Sequence, residues 1–444
     1  MNLSEKFVLR GTAWTVGTYG VSTVLRFGSN VVLSRLVAPE VFGVMLIINT
    51  LRNGLELLSD VGIGQNIVHS PNGGDRAFRD TAWTIQLLRG LFLFAIFFAA
   101  ATPLSRLYGL PTTAFEIAAL SIPLLGASSI SIYLLQRRLR VVALNLFDLA
   151  MDAVGVVFVV GFALISPTIW SLIYATVVAT GVRTVATFFL PEAAVRFEWN
   201  RDHAGRILSF GRWIYIASLL SFACASVDKL FLGQAIPLAV LGVYGIARNI
   251  AELPAALAGR LGHSLLFPLI SGERDLPRAL LHAHLVPIRR KLLIACAAAI
   301  GLGAAFADVA VDLVYDARYV QAGWMLSVLL LGAFVAVLCS LNEYVLLGVG
   351  RPLWGAGGNL AKLLCLALGL TVTWGTVGLG GVIVVIALAD LPRYLVIAAG
   401  QIRERLPFLG QDLLATLLLF GTLALASAVR WQLGYGTAFS GMAW

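Results

Sequence analysis

Charge is what this chain of 444 residues has least of. It carries 32 Lys and Arg and 23 Asp and Glu, 12% of the sequence, against 59% apolar residues and a mean hydropathy of +0.88. A soluble chain of this length would fold as two or three domains, each needing a polar surface that these residues cannot supply. Cysteine is also scarce. Cys224, Cys296, Cys339 and Cys365 stand singly inside apolar runs with no CxxC spacing, so neither a disulfide framework nor a zinc site is indicated. The five histidines provide one close pair, His282 and His284, with no further ligand at metal spacing, so no metal or cofactor is expected. Ten-residue stretches of alternating polarity, the mark of a membrane barrel, are missing as well.

What the sequence does have is long continuous apolar runs. A spanning helix takes about 20 residues, and breaks at charge, Pro and Gly leave thirteen runs: 11–33, 41–66, 80–104, 114–136, 143–165, 168–190, 207–232, 240–264, 290–312, 323–347, 353–375, 378–399 and 412–430. The fold class predicted is an all-α polytopic membrane protein. The first run is read as a retained span, since it is too long for a signal peptide and lacks a small-residue cleavage site. With a cytoplasmic N-terminus, eighteen loop cations, among them Arg76, Arg79, Arg137, Arg138, Arg196 and Arg289, fall on the cytoplasmic side. Arg35, Arg106, Arg318 and Arg430 fall on the other. That asymmetry is the positive-inside pattern of an inner-membrane protein. The outer loops are a handful of residues each, too short to build the site of a membrane-embedded glycosyl transferase or polymerase.

At an offset of 199 residues Trp14 aligns with Trp213, Ser22 with Ser221, Leu33 with Leu232, Val41 with Val240, Gly43 with Gly242, Val44 with Val243 and Ile47 with Ile246. Each match opens a block of six runs. The expectation is two parallel six-helix lobes, 1–190 and 207–400, around a central cavity, joined by a polar cytoplasmic linker at 191–206 and followed by one extra helix and a tail at 401–444. Duplicated lobes suit a transporter that exposes one site to each side in turn.

Cations inside the runs carry the functional reading. Arg212, Arg260, Arg393 and Lys229 lie near run ends, and Arg89, Arg183 and Lys362 about two turns in, where long side chains reach the interface by snorkelling. Arg26, Arg52 and Arg248 lie deeper, where a cation costs at least about 2.5 to 3.5 kcal/mol unless it faces water or a partner. Thr12, Thr15, Tyr19, Ser22, Arg26 and Ser29 share one helix stripe, and Asn49, Arg52, Glu56 and Asp60 share another. Arg248, Asn249 and Glu252 repeat the Arg and Glu four residues apart. Two readings stay open: each pair neutralises itself within its helix, or the guanidiniums line a cationic cavity and the carboxylates orient them. A cavity of the second kind, lined by Arg26, Arg52, Arg248, Asn49 and Asn249, would hold a pyrophosphate bidentately while neutral polar groups bind sugar hydroxyls. Glu56, Asp60, Glu252, Asp228, Glu343 and Asp390 are candidate cavity or ion-coupling acids, or structural partners of nearby arginines; Asp148 and Asp152 are open to the same two roles. Trp170, Trp324, Trp354 and Trp374 lie near run ends and read as interfacial belt residues.

The stretch from Gly11 to Trp14, the run from Val32 through Arg35, Pro39, Glu40 and Phe42 to Gly43, and the segment from Leu58 through Asp60, Gly62 and Gly64 to Gln65 together resemble the opening of bacterial polysaccharide transporters. The second-half segment Trp213 to Pro268, with Asp228, Lys229, Tyr244 and Pro254, is similar to that family's second lobe. These are the Wzx-type flippases for O-antigen and exopolysaccharide precursors, within the multidrug/oligosaccharidyl-lipid/polysaccharide superfamily. The resemblance implies a twelve-helix core plus C-terminal helices. It also implies transfer of an undecaprenyl-pyrophosphate-linked oligosaccharide by alternating access, without covalent chemistry. In related lipid II flippases arginines of the first, second and eighth helices line the cavity, a role it implies for Arg26, Arg52 and Arg248. A polysaccharide polymerase and a chain-length regulator are the partners it implies, beside membrane lipids and the lipid-linked oligosaccharide; nucleic acid is not among them. The rival class is a drug or metabolite/cation antiporter of the same superfamily, for which a more acidic and aromatic cavity would be expected.

Overall fold

In a bilayer every backbone N–H and C=O must be satisfied within its own segment, so long runs of Leu, Val, Ala and Phe are driven into helix. The computed structural model describes residues 3–59, 62–273 and 276–439. Among them there are helices and turns and no strand. Each of the thirteen runs expected from the sequence falls on one helix or on two or three consecutive ones, the run 114–136 being divided among three.

Contacts divide the chain into two compact units, Met1–Phe222 with Leu232–Leu241, and Ala223–Phe231 with Gly242–Trp444. The first holds α1 (Leu3–Leu36), α2 (Pro39–Leu58), α3 (Ile63–His69), α4 (Arg76–Tyr108), α5 (Thr112–Ala119), α6 (Ser121–Ala127), α7 (Ser131–Arg137), α8 (Val141–Ile165) and α9 (Ile169–Thr187). Helices α10 (Arg201–Ala235) and α11 (Leu238–Leu261) contribute to both. The second unit continues with a π-helical turn (Gly262–Leu266), α12 (Phe267–Gly272), α13 (Arg278–Ala305), α14 (Ala307–Val314), α15 (Ala322–Gly348), α16 (Leu353–Thr376), α17 (Leu379–Leu388), α18 (Asp390–Arg403) and α19 (Leu409–Gln432).

Among the described residues eight helices are long and apolar enough to cross a membrane, or up to ten if each of two bent pairs is one span. The remaining three runs, on α1, α2 with α3, and α10, are helical but carry Arg26, Arg52, Glu56, Asp228 and Lys229. The chain is a multi-pass membrane protein. Equally apolar helices have opposite surroundings: only 6% of the apolar window of α8 is buried inside the protein, against 78% for α15. Helix α8 therefore lies at the margin of its unit, against α1 and α9, while α15 is the core of the second unit, packed by α12, α13, α14, α17 and α18.

In the first unit α1 packs on α8, α4 on α5 and α6, α6 on α9, and α3 on α7. Beneath α3 and α7 lies an apolar cluster of Ile63, Ile67, Phe78, Ile85, Ile130 and Leu134. The segment expected as a linker is tied to α4, where Arg196 N–H donates to Asp80 Oδ1 at 3.1 Å, Glu198 N–H to Thr84 Oγ1 at 3.0 Å and Asn200 N–H to Thr81 Oγ1 at 3.3 Å.

Three sequence expectations are corrected in the second unit. Arg289, taken as a cytoplasmic loop cation, is fully buried in α13. Its guanidinium bonds Asp412 Oδ1 at 2.9 Å, Gln411 Oε1 at 2.9 Å and Asn342 Oδ1, and lies 4.1 Å over the Phe408 ring. Arg430, taken as a far-side loop cation, is buried against Asp308 and donates to Ala305 O at 2.7 Å. The partners lie far away in sequence, and only folding brings them near. Together the two arginines fasten α19 to α13 and α14 at its two ends, so this helix is built into the second unit. Trp324, expected at the interface, is buried in α15.

Candidate functional site

Two helix breaks in the first unit create the site. Helix α2 ends at Leu58 with Ser59 as its cap, and Gly62 adopts φ 64°, a left-handed turn that glycine enters without the Cβ penalty, so the chain restarts as α3. Helix α6 ends at Ala127, and Ser128 to Ile130 bend the chain into α7 by 50°. Each break leaves last-turn carbonyls without an intrahelical donor. Side chains of α4 and α9 supply the donors. Arg89 Nε donates to Ser59 Oγ at 2.9 Å, and its Nη2 donates to the Glu56 carbonyl. Gln86 Nε2 donates to the carbonyls of Gly126 at 3.0 Å and Ser128 at 2.9 Å, and Thr184 Oγ1 to that of Leu124 at 2.8 Å. Gln86 is brought within reach by the close crossing of α4 and α6 at glycine: a Cβ on Gly90 would lie 2.9 Å from Gly126 Cα.

Between these propped ends lies a cavity of about 550 Å³. Its polar lining is Asn53, Glu56, Gln86, Arg89, Ser128, Tyr133, Arg183, Thr184 and Thr187, and its apolar lining includes Leu57, Leu93, Ile122, Leu125 and Ile132. Arg183 pairs with Asp148 at 2.5 Å and lies 5.5 Å over the Phe147 ring. One carboxylate and two guanidiniums face the cavity, together with hydroxyl and amide groups, so it is suited to an anion that also carries neutral hydroxyls, with apolar surface for an attached chain.

The residues singled out in the sequence are placed as follows. Glu56 lines the cavity. Arg52 stands behind it, its Nε 3.8 Å from Glu56 Oε1 and its Nη1 3.1 Å from Ser121 Oγ. Arg26 bonds both oxygens of Asp152 at 2.9 Å, and Ser22 donates to the same carboxylate, yet 66% of the Arg26 side chain stays exposed. Asn49 is half-buried; Asp60 lies outside the described residues.

In the second unit Arg248 Nε is 3.2 Å from Asp228 and 3.0 Å from Glu252, Lys229 is 3.4 Å from Glu252, and Tyr244 donates to Asp228 at 2.5 Å. Asn249 is exposed. Asp390 is shared by Lys362 at 2.8 Å and Arg393 at 3.2 Å, and Glu343 is 2.6 Å from Arg393. The acids Asp228, Glu252, Glu343 and Asp390 are thus matched by Lys229, Arg248, Lys362 and Arg393. The local Arg and Glu pairs of α2 and α11 both exist, and each arginine has a further partner on another helix.

Arg89 and Arg183, which the sequence reading placed among snorkelling cations, are the cavity's guanidiniums. The available signal was slight. Gln86 and Arg89 lie one turn apart on a helix otherwise apolar from Leu91 to Ala101, and the serines at 128, 129 and 131 mark the break opposite.

The sequence model of the family described as "Polysaccharide biosynthesis protein" matches residues 32–323. The succinoglycan biosynthesis transport protein ExoT of Rhizobium meliloti (strain 1021) is 24% identical over 360 residues, covering 79% of this chain and 71% of that protein. The teichuronic acid biosynthesis protein TuaB of Bacillus subtilis (strain 168) is 21% identical over 304 residues, which cover 67% of this chain and 62% of TuaB. Among solved structures, the lipid II flippase MurJ in its inward closed conformation is similar with a TM-score of 0.75 at 11% identity, covering 94% of this chain and 92% of the other. That likeness shows the fold.

Proposed function

This chain belongs to the polysaccharide biosynthesis protein family, and from that premise we propose that it moves a polyprenyl-pyrophosphate-linked oligosaccharide from the cytoplasmic to the periplasmic leaflet of a bacterial inner membrane, by alternating access. The observation that carries the reading is the pairing of Arg89 and Arg183 with neutral hydroxyl and amide groups in one cavity of the first unit. Guanidinium forks match phosphate oxygens and stay charged at any physiological pH. In a low-dielectric surround they bind a pyrophosphate far more strongly than they would in water. Arg26 is the further cation of this unit that the substrate can reach, and Arg52 acts on it through Glu56. The acids of the second unit serve as fixed counter-ions to Arg248, Lys362 and Arg393. Translocation needs no bond made or broken, so the residues bind and release rather than catalyse. The N-terminus and the basic loops face the cytoplasm, where the substrate is assembled. A polymerase and a chain-length regulator act on it afterwards.

The test is lipid extraction and mass spectrometry of cells lacking the protein and of cells carrying Arg183→Ala at wild-type protein level. The expected result is accumulation of completed lipid-linked repeat units with loss of surface polysaccharide in both, and partial rescue by Arg183→Lys, which keeps the charge but loses the fork. Normal lipid intermediates in cells lacking the protein and any redundant flippase would turn the reading toward a small-molecule/cation antiporter.

A further inference from the structure

Adjoining the cavity is a smaller chamber of about 240 Å³ whose chemistry differs. It is lined by Gln65, Gln86, Gln136, Tyr133 and Arg89, with Gly64 and two aliphatic side chains completing the wall. Gln86, Arg89 and Tyr133 line both spaces, so the two are neighbours with Arg89 in their shared wall. We propose that this annex receives the first sugar of the lipid-linked substrate, next to its pyrophosphate, and selects a neutral, hydroxyl-rich residue there. The proposal rests on the flippase reading given above.

The lining carries the argument. A neutral sugar presents hydroxyls that both donate and accept, and a glutamine side chain offers two donors and an acceptor in one flat group. Three glutamines and a phenol meet here, and among the described residues the one ionic group in the wall is Arg89. An acyl or prenyl chain would find little apolar surface, and a second anionic group would find no further cation. Gln86 has its amide nitrogen committed to Gly126 and Ser128, so what it offers a ligand is its carbonyl oxygen. Gln65 and Gln136 line the chamber and are exposed. They are brought together because α3 and α7 pack over the apolar cluster of Ile63, Ile67, Ile130 and Leu134. The glycine at 64 sets the width, since a Cβ there would lie 2.7 Å from Tyr133 Cε1 and would push the ring away.

The experiment uses the full-length protein in phospholipid nanodiscs and two probes, undecaprenyl pyrophosphate and the same lipid carrying one hexose, with affinities read by native mass spectrometry or thermophoresis. The wild-type protein is expected to bind the glycosylated lipid about tenfold more tightly, the effect of one or two net hydrogen bonds. In Gln65→Ala/Gln136→Ala, whose mutated side chains are exposed, affinity for the glycosylated lipid falls to that for the bare lipid. Retention of the preference in the double variant, or no preference in a wild-type protein that binds both probes, overturns the annex and leaves the flippase reading standing. Binding of neither probe by the wild-type protein overturns both.

Discussion

At the scale of single residues, the fully buried Arg289 shows how a cation is tolerated inside an apolar unit. Its charge is met by Asp412, its two terminal nitrogens also bond Gln411 and Asn342, its Nε is left without a hydrogen-bond partner, and its flat face lies over Phe408, while Asn342 and Tyr394 hold the second oxygen of Asp412 at 2.9 and 3.1 Å. Removing one partner leaves a buried charge uncompensated, which costs about 3 to 5 kcal/mol. Arg289→Ala is therefore expected to lose most of the unfolding stability measured by thermal or denaturant melting in detergent. Arg289→Met/Asp412→Leu should recover much of it, because the lone charge is gone. A single variant within about 1 kcal/mol of wild type would show that the network contributes little. The same logic governs Lys362, Asp390, Arg393 and Glu343, which are matched in charge and hold α15, α16 and α18 together.

At the scale of elements, the breaks do the positioning. Had α2 run on unbroken through residue 69, its last-turn carbonyls would have been satisfied internally and Arg89 would have lost its anchor. Gly62→Ala forces a Cβ into the left-handed region at roughly 1 to 2 kcal/mol. It is expected to lower both stability and transport, with Gly62→Asn milder, as asparagine tolerates that region. The α4 and α6 crossing is stricter. Gly126→Val or Gly90→Val pushes side-chain atoms into the opposing backbone, and the expected cost is about 1 to 3 kcal/mol with the crossing spread. Either variant should be impaired in surface-polysaccharide export while Gly155→Ala, where a Cβ meets nothing within 4 Å, is neutral. An export defect in Gly155→Ala equal to that of Gly126→Val would remove the special role of the crossing.

At the scale of the whole molecule, the charge distribution predicts orientation. In a cysteine-free background, Glu198→Cys should be labelled by a membrane-impermeant maleimide only after the cytoplasmic side is opened, and Thr113→Cys in intact spheroplasts; both positions are exposed. The reverse pattern would invert the topology and the direction of transport with it. Beyond the family resemblance carried by its motifs, the sequence by itself determined the membrane class and the approximate placement of the apolar helical runs. Those follow from length, hydropathy and loop charge, which act locally along the chain. It did not determine which face of an apolar helix meets lipid and which meets protein, since α8 and α15 satisfy the same hydropathy rule with opposite burial. Nor did it single out Arg89 and Arg183, the arginines that line the cavity of the first unit. Arg26, Arg52 and Arg248 were chosen by depth in their runs, and depth says nothing of a partner on another helix, such as Asp152, Ser121 or Asp228. Arg89 and Arg183 acquired their place from two helix breaks and a glycine crossing, Arg289 and Arg430 from carboxylates far away in the chain. Tertiary structure decided these because a buried charge is positioned by whatever compensates it, and the compensating groups become neighbours only once the helices have packed.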